Sequence, residues 1–110
     1  MSYKLKKVNE LIKQELGKII LEQEEFGSGV LVTIMDVKTS QDLLEASVIF
    51  SVFPTGKEEL VFKKLSARVF GLQQLLNKKI KMHPMPKIRF VLDNTEAEYQ
   101  KIDTLLEKIK

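Results

Sequence analysis

The spacing between apolar residues changes along the chain, and this change restricts the fold more than any other feature. In residues 5–20 apolar side chains recur every three or four positions, as they do on one face of an amphipathic helix. In residues 46–53 the apolar side chains of Val48, Phe50 and Val52 instead alternate with Ser47, Ile49 and Ser51, which is typical of a strand. The chain therefore predicts a protein that combines helices with a sheet.

Turn-forming residues divide the first half of the chain. Gly27 and Gly29 favour the end of the first helix within residues 26–29, because glycine readily adopts the left-handed conformation found at such ends. A first strand is expected at about residues 30–37. After it, Ser40 and Asp42 are expected to bond backbone groups in a turn that leads into the second strand. The two strands together predict a hairpin that lies on another layer.

A long helix is predicted after Pro54. Thr55 and Glu58 have the T-x-x-E spacing of a capping box, which satisfies free N–H groups at a helix start. We expect a kink between Ser66 and Gly71, because a mid-helix glycine costs about 1 kcal/mol relative to alanine and a serine hydroxyl can bond a carbonyl one turn back. The apolar stripe of this helix comprises Val61, Leu65, Val69, Leu72, Leu76 and Ile80.

The last part of the chain predicts one more strand and one more helix. Pro84 and Pro86 end the long helix, and residues 87–93 then alternate between apolar and other side chains. A second T-x-x-E spacing at Thr95 predicts a final helix with an apolar stripe as far as Ile109. The predicted order is α-β-β-α-β-α in a single α+β domain of residues 1–110, with helices on one face of a three-stranded sheet.

Several classes of protein do not fit the composition. The chain has no cysteine, and no apolar run approaches the 18 residues of a membrane span. We therefore expect a cytoplasmic protein without a signal peptide, membrane span or disulfide. His83 is the only histidine, so no metal site is expected. Because neither a glycine-rich phosphate loop nor a nucleophile with its base is found, we predict no cofactor, no small-molecule substrate and no catalysis.

Charge is distributed unevenly along the chain. Residues 60–92 contain no Asp or Glu, whereas residues 63–89 contain eight Lys or Arg together with His83. The rest of the chain carries 18 − 8 = 10 basic residues against all 15 acidic ones, so the net charge of +3 hides a strongly basic segment. Phosphate binding requires cations without competing carboxylates, and this segment meets that condition. The alternative is that these lysines serve only solubility.

The positions off the apolar stripes supply the candidate contacts to nucleic acid. The predicted RNA-binding residues are Lys4, Lys7, Lys63, Lys64, Arg68, Lys78, Lys79, Lys81, His83, Lys87 and Arg89. Arg89 is expected on the open face of the sheet, because Ile88 and Phe90 occupy the other face. Phe62, Phe70 and Phe90 are expected in the core, so recognition of backbone and shape is favoured over base stacking.

The chain resembles the ribosome-binding factor A family from about residue 3 to residue 108. The residues that carry the resemblance, by their order and spacing, are Val32, Thr33, Val37, Ser40, Asp42, Leu43, Ala46, Val48, Ser51, Pro86, Ile88, Phe90, Asp93, Lys101, Ile102, Leu105 and Leu106. The resemblance implies a type II KH-like domain in which a helix–kink–helix replaces the GxxG phosphate clamp. The resemblance adds Ala67 to Ser66 and Gly71 as candidate kink residues. The chain departs from the family pattern after the first helix, where Glu24, Glu25 and Phe26 replace a D-P-R segment.

The same resemblance implies a function. It predicts a non-catalytic factor that binds the immature 30S ribosomal subunit and its 16S rRNA, assists late maturation and 5′-end processing, and matters for cold adaptation. We expect a monomer when the protein is free. Two alternatives stay open from the residues themselves: an adaptor that docks proteins through its open sheet face, and a generic KH module that binds single-stranded RNA.

Overall fold

The structure is a computed structural model that describes residues 3–93. Its elements are α1 (Tyr3–Gln23), β1 (Leu31–Thr39), β2 (Glu45–Phe53), α2 (Glu58–Lys79) and β3 (Lys87–Leu92). This order confirms the predicted α+β arrangement as far as β3, whereas the helix predicted from Thr95 lies outside the described residues. Within residues 3–93, no helix is both long enough and apolar enough to cross a membrane.

The three strands form one mixed sheet in the order β1-β2-β3. β1 and β2 are antiparallel, as expected for a hairpin, whereas β3 runs parallel to β2. A parallel pair needs a crossover that returns the chain to the end where the earlier strand began, and α2 makes this crossover. Both α1 and α2 pack on the same face of the sheet, so its other face carries no helix from the described part of the chain.

The core lies between the helices and the covered face of the sheet. Phe50 of β2 is fully buried, and its ring packs edge-on against Phe90, with 6.2 Å between the ring centroids. Ile12 and Leu16 of α1 and Leu72 of α2 are also fully buried. Each such side chain contributes about 1.5–3 kcal/mol by leaving water. The apolar stripes predicted for both helices are therefore the surfaces that hold them on the sheet.

Phe70 lies outside this core, although the sequence predicted it inside. Its side chain is 75% exposed, whereas Phe90 is buried as expected. Phe62 was also expected in the core but is 40% exposed, although one side of its ring stacks on Phe50. Phe70 precedes the buried Leu72 by two residues, which is about 200° around a helix and so places it on the side away from the sheet.

The hairpin turn confirms the roles expected for Ser40 and Asp42. The Ser40 N–H donates to the carbonyl of Glu45 at 2.8 Å, and the Ser40 hydroxyl donates to the Asp42 carboxylate at 2.6 Å. The same carboxylate accepts the N–H of Leu44 at 3.0 Å. These hydrogen bonds lower the pKa of Asp42, and the bond from the Ser40 hydroxyl makes the largest contribution.

The start of α2 differs from the predicted capping box. Lys57, and not Thr55, is the N-cap residue, and it makes no side-chain capping bond. The Glu58 carboxylate instead accepts the N–H of Gly56 at 2.9 Å. The turn at Gly56, with φ of 106°, moves the helix start beyond Thr55. Only the glutamate half of the predicted capping box is therefore present, because the Glu58 carboxylate accepts a free N–H before the helix.

The predicted kink region lies inside one continuous α-helix. α2 runs from Glu58 to Lys79 without interruption, so Ser66, Ala67 and Gly71 all have helical neighbours on both sides. A Cβ on Gly71 would lie 3.2 Å from Nη1 of Arg68, so glycine leaves room for that guanidinium. A bend at these residues stays a prediction.

The Gln73 side chain covers the outer edge of the sheet at β3. The Lys87 N–H donates to the Leu44 carbonyl at 2.9 Å, on the β2 side of β3. The next N–H along β3 therefore points away from β2, at the outer edge of the sheet. This outward N–H belongs to Ile88 and donates to Oε1 of Gln73 at 2.8 Å, while Nε2 of Gln73 donates to the Pro86 carbonyl at 3.2 Å. The amide of Gln73 therefore takes the place of a neighbouring strand.

Replacing Gln73 by alanine should lower the free energy of unfolding by about 1–3 kcal/mol, because it leaves the part-buried Ile88 N–H without its acceptor. Gln74→Ala is the matched control, since Gln74 is exposed on the same helix. Urea unfolding measures both changes, and hydrogen exchange reports the Ile88 amide. Equal stability of the two variants would show that the edge bond is unimportant.

Replacing Ser40 by alanine should raise the pKa of Asp42 towards its ordinary value of about 3.9. Because the folded-state pKa of Asp42 is lowered, its contribution to stability is present above about pH 4 and is lost as the pH falls through the folded value. NMR titration of the carboxyl carbon measures the shift. An unchanged titration in Ser40→Ala would contradict the assigned cause.

Candidate nucleic-acid interface

The two helices run antiparallel, and three side-chain contacts fix their direction. Asn9, in the first half of α1, accepts the N–H of Thr39 at the end of β1 at 3.0 Å. Glu24, directly after α1, meets Arg68 of α2 at 2.7 Å. Gln73, late in α2, binds the beginning of β3 as described above. The start of α1 and the end of α2 therefore lie at the same end of the domain, beside the hairpin turn.

This arrangement gathers cations from separate parts of the chain. We call this group the basic end, and it comprises Lys4, Lys7, Lys78, Lys79, Lys81, His83 and Lys87. All seven side chains are exposed. Within residues 3–93, no salt bridge involves Lys4, Lys78, Lys79, Lys81 or Lys87. The basic end therefore offers several uncompensated charges to a polyanion.

The connection between α2 and β3 gives the basic end a concave part. A cavity of about 370 Å³ opens there, next to the last turn of α2. It is lined by Asn77, Ile80, Lys81, Met82, His83 and Met85. Lys78 and Lys79 also occupy the last turn of α2, where positive charge is favoured by the helix dipole.

Three predicted site residues lie elsewhere on α2 and already have partners. Lys63 pairs with Glu59 at 3.2 Å, and the Lys64 ammonium lies 5.4 Å from the centre of the Phe26 ring. The Arg68 guanidinium meets Glu24, whose side chain is only 4% exposed. Lys63 precedes Lys79 by sixteen residues, which corresponds to about 24 Å along a helix. The acid-free segment is therefore continuous in sequence but divided in space.

Arg89 occupies a third position, on the open face of the sheet. It projects from β3 opposite the buried Ile88 and Phe90, as the alternation predicted. Its Nε donates to the Ser47 hydroxyl at 3.3 Å, and Ser47 is also the register partner of Lys38 in β1. The sequence did not predict Lys38 as an RNA-binding residue, because it lies outside the acid-free segment. Its place next to the buried Val37 nevertheless puts it on the same open face as Arg89.

Carboxylates limit the basic end on its hairpin side. Glu45 is the register partner of Lys87, and Asp42 lies in the adjoining turn. The Asp42 carboxylate is occupied by Ser40 and Leu44, as described above. The helical side of the basic end is therefore the side better suited to phosphate. In the part of the chain that the structure describes, no group of three or more His, Cys, Asp or Glu stands ready to hold a metal ion.

The fold and the site together define a class of protein. The fold is a type II KH-like domain, because two helices cover one face of a sheet and the third strand is parallel to the second. The basic end makes this domain a candidate RNA-binding domain. A family model described as ribosome-binding factor A matches residues 4–106. The chain belongs to the ribosome-binding factor A family, which confirms the predicted relationship.

Curated relatives agree over nearly the whole chain. Ribosome-binding factor A of Chlorobium phaeobacteroides is 32% identical, across 100% of this chain and 97% of the relative. The protein of the same name from Pelagibacter ubique is 36% identical, across 93% of this chain and 86% of the relative. The similarity is therefore not confined to one motif.

Solved structures share the fold. The crystal structure of ribosome-binding factor A from Thermus thermophilus matches with a TM-score of 0.71 at 24% identity, covering 80% of this chain and 93% of that one. A homology model of the Thermus thermophilus factor, fitted into a cryo-EM map of its complex with the 30S subunit, matches with a TM-score of 0.63 at 25% identity. It covers 76% of this chain and 88% of that one.

Replacing Arg68 by glutamine should lower the free energy of unfolding by about 1–3 kcal/mol, because the Glu24 carboxylate is nearly buried and would lose its charged partner. Lys78→Gln should change stability by less than about 0.5 kcal/mol, since Lys78 is exposed and lies away from such features. Thermal and urea unfolding compare the two variants. If both leave stability unchanged, Arg68 is not a structural residue.

Proposed function

We propose that this chain binds the immature 30S ribosomal subunit by placing its basic end against 16S rRNA. The proposal is supported chiefly by the lysines of α1, α2 and the start of β3 that lie towards one end of the domain, most of them without a salt bridge within residues 3–93. Membership of the ribosome-binding factor A family supports the choice of partner, as does the Thermus thermophilus relative described in a 30S complex. The chain acts without catalysis and assists late maturation and 5′-end processing of the rRNA.

The basic end recognises the shape and backbone of RNA. Ammonium groups bind phosphates as point charges, which positions the protein without reading sequence. The concave part next to His83 admits a group that projects from the RNA backbone. Because neither the last turn of α2 nor the connection to β3 contains an Asp or Glu of its own, an rRNA segment can lie along them without local repulsion.

Assistance to maturation follows from a difference in affinity. A protein shifts RNA between two conformations only if it binds one of them better. The basic end places its charges on two helix ends and one short connection, and the positions of these elements favour one spacing of phosphates over others. When rRNA helices settle into the mature arrangement, that spacing is lost and the factor leaves.

The number of charges sets the expected dependence on salt. Six lysines belong to the basic end, and if each neutralises one phosphate, affinity should fall about 10³-fold between 50 and 200 mM salt. An adaptor that docks through an apolar patch would respond weakly to salt. Salt dependence therefore separates the two functions.

Replacing Lys78, Lys79 and Lys81 together by glutamine should reduce association with immature 30S subunits by at least 100-fold at 100 mM salt. The plot of log affinity against log salt should become shallower by about 2–3, which corresponds to three lost phosphate contacts. Co-sedimentation with immature and mature subunits over a series of salt concentrations measures both quantities. The unsubstituted chain should prefer the immature subunits.

The matched control replaces Lys13, Lys18 and Lys57 by glutamine, which removes the same charge outside the basic end. This control should bind subunits as the unsubstituted chain does, and circular dichroism should show both variants folded. Equal binding by the two triple variants would contradict the proposal, and equal affinity for immature and mature subunits would contradict the mechanism.

A further inference from the structure

The sheet has two outer edges, and side chains occupy some of the backbone groups on each. An edge strand presents N–H and C=O groups that can pair with another chain. At β3, the Gln73 amide takes this position. At the far end of β1, the Asn9 side chain accepts both the N–H of Thr39 at 3.0 Å and its hydroxyl at 2.6 Å. The Gln73 and Asn9 side chains both belong to helices that pack on the sheet, so these hydrogen bonds are present whenever the domain is folded.

The middle of β1 is also unsuited to pairing with another strand. The Val37 N–H donates to the carboxylate of Asp36 at 2.9 Å, and the strand register shifts between Ile34 and Asp36. This irregularity interrupts the regular alternation that an added strand would follow. The first part of β1, residues 31–34, pairs regularly with β2 on its inner side. Within residues 3–93, no side chain is hydrogen-bonded to its outer backbone groups. We call residues 31–34 the open edge.

An apolar groove runs beside the open edge. A cavity of about 760 Å³ lies between α1 and the first part of β1, with walls that include Ile20, Leu21 and Phe26. Leu21 is 81% exposed and Leu31 is 58% exposed, so both present apolar surface that nothing in the described part of the chain covers. A strand placed along the open edge would direct alternate side chains into this groove.

The charges around the groove select the occupant. Glu10, Lys13, Glu24 and Glu25 all line it. Glu24 is paired with Arg68, whereas Glu10 and Glu25 form no salt bridge within residues 3–93. Two free carboxylates against one ammonium repel RNA and favour a cationic ligand. This face therefore has the opposite preference to the basic end.

We propose that the open edge binds an extended peptide of a protein partner, with apolar residues at alternate positions and Lys or Arg between or beside them. The peptide adds to β1 as a fourth strand, its backbone pairs with residues 31–34, its apolar side chains enter the groove, and its cations approach Glu10 and Glu25. The site is independent of RNA binding, because it lies on the edge strand farthest from β3 and towards the opposite end of β1 from the basic end.

The test uses the full chain and the synthetic peptide acetyl-KVTVKVTK-amide, with acetyl-EVTVEVTE-amide as its charge-reversed control. NMR shifts give the affinities, and hydrogen exchange reports the amides of residues 31–34. The lysine peptide should slow exchange of the outward amides at least tenfold at saturation and should bind at least tenfold more tightly than its control. The Glu10→Lys/Glu25→Lys variant should reverse this preference.

Three results would overturn the proposal. Absence of protection at saturating lysine peptide would show that the edge does not pair. Protection in the free chain that is independent of protein concentration would show that another part of this chain occupies the edge. Protection that increases with protein concentration would assign the edge to a second copy.

The Glu10→Lys/Glu25→Lys variant also keeps this test separate from RNA binding. Both residues lie outside the basic end, so the variant should still associate with 30S subunits, with an affinity no weaker than that of the unsubstituted chain. A variant that binds subunits but does not reverse its peptide preference would refute the open-edge site alone.

Discussion

The antiparallel packing of α1 and α2 on one face of the sheet is the constraint on which the other features depend. Burial of residues such as Leu16 and Leu72 supplies the free energy, because close-packed apolar side chains leave water together. The polar contacts supply direction: Asn9 fixes the first half of α1 to the end of β1, and Glu24 fixes the residue after α1 to the middle of α2. The start of one helix therefore meets the end of the other, which is where the uncompensated lysines gather. Reversing either helix would separate those lysines by the length of the domain.

The same packing gives the two sides of the molecule different chemistry. Glutamate from the region after α1 neutralises Arg68, so the middle of α2 is held by an ion pair and is not available as a free charge. The end of α2 has no such partner among the described residues. Towards the start of β1, carboxylates of α1 and of the following loop border an apolar groove. The basic end thus carries the charge that we propose binds phosphate, and the groove carries the charge that we propose binds a cationic peptide.

Much of the fold can be predicted from the sequence, because apolar periodicity reports which side of each element is buried. The strands and both described helices were found in this way, whereas the turn at Ser40 and Asp42 was predicted from its turn-forming residue types. The errors arise where a local pattern has more than one geometric outcome. Thr55 and Glu58 have capping-box spacing, but the turn at Gly56 moves the helix start. Phe70 is apolar, yet its angle around α2 places it in solvent. The candidate site could be predicted only in part, since charge counted along the sequence does not reveal that Glu24 reaches Arg68, or that Lys4 and Lys79 share an end.

Lysine acetylation footprinting on the complex with immature 30S subunits tests the central claim most directly, namely that RNA meets the basic end and not the whole acid-free segment. The chain is acetylated free and in complex, and mass spectrometry gives the protection of each lysine. Our account predicts joint protection of Lys4, Lys78, Lys79, Lys81 and Lys87, with Lys18, Lys57 and Lys63 acetylated equally in both states. Protection centred on Lys63 and Lys64, with the basic end still reactive, would contradict it.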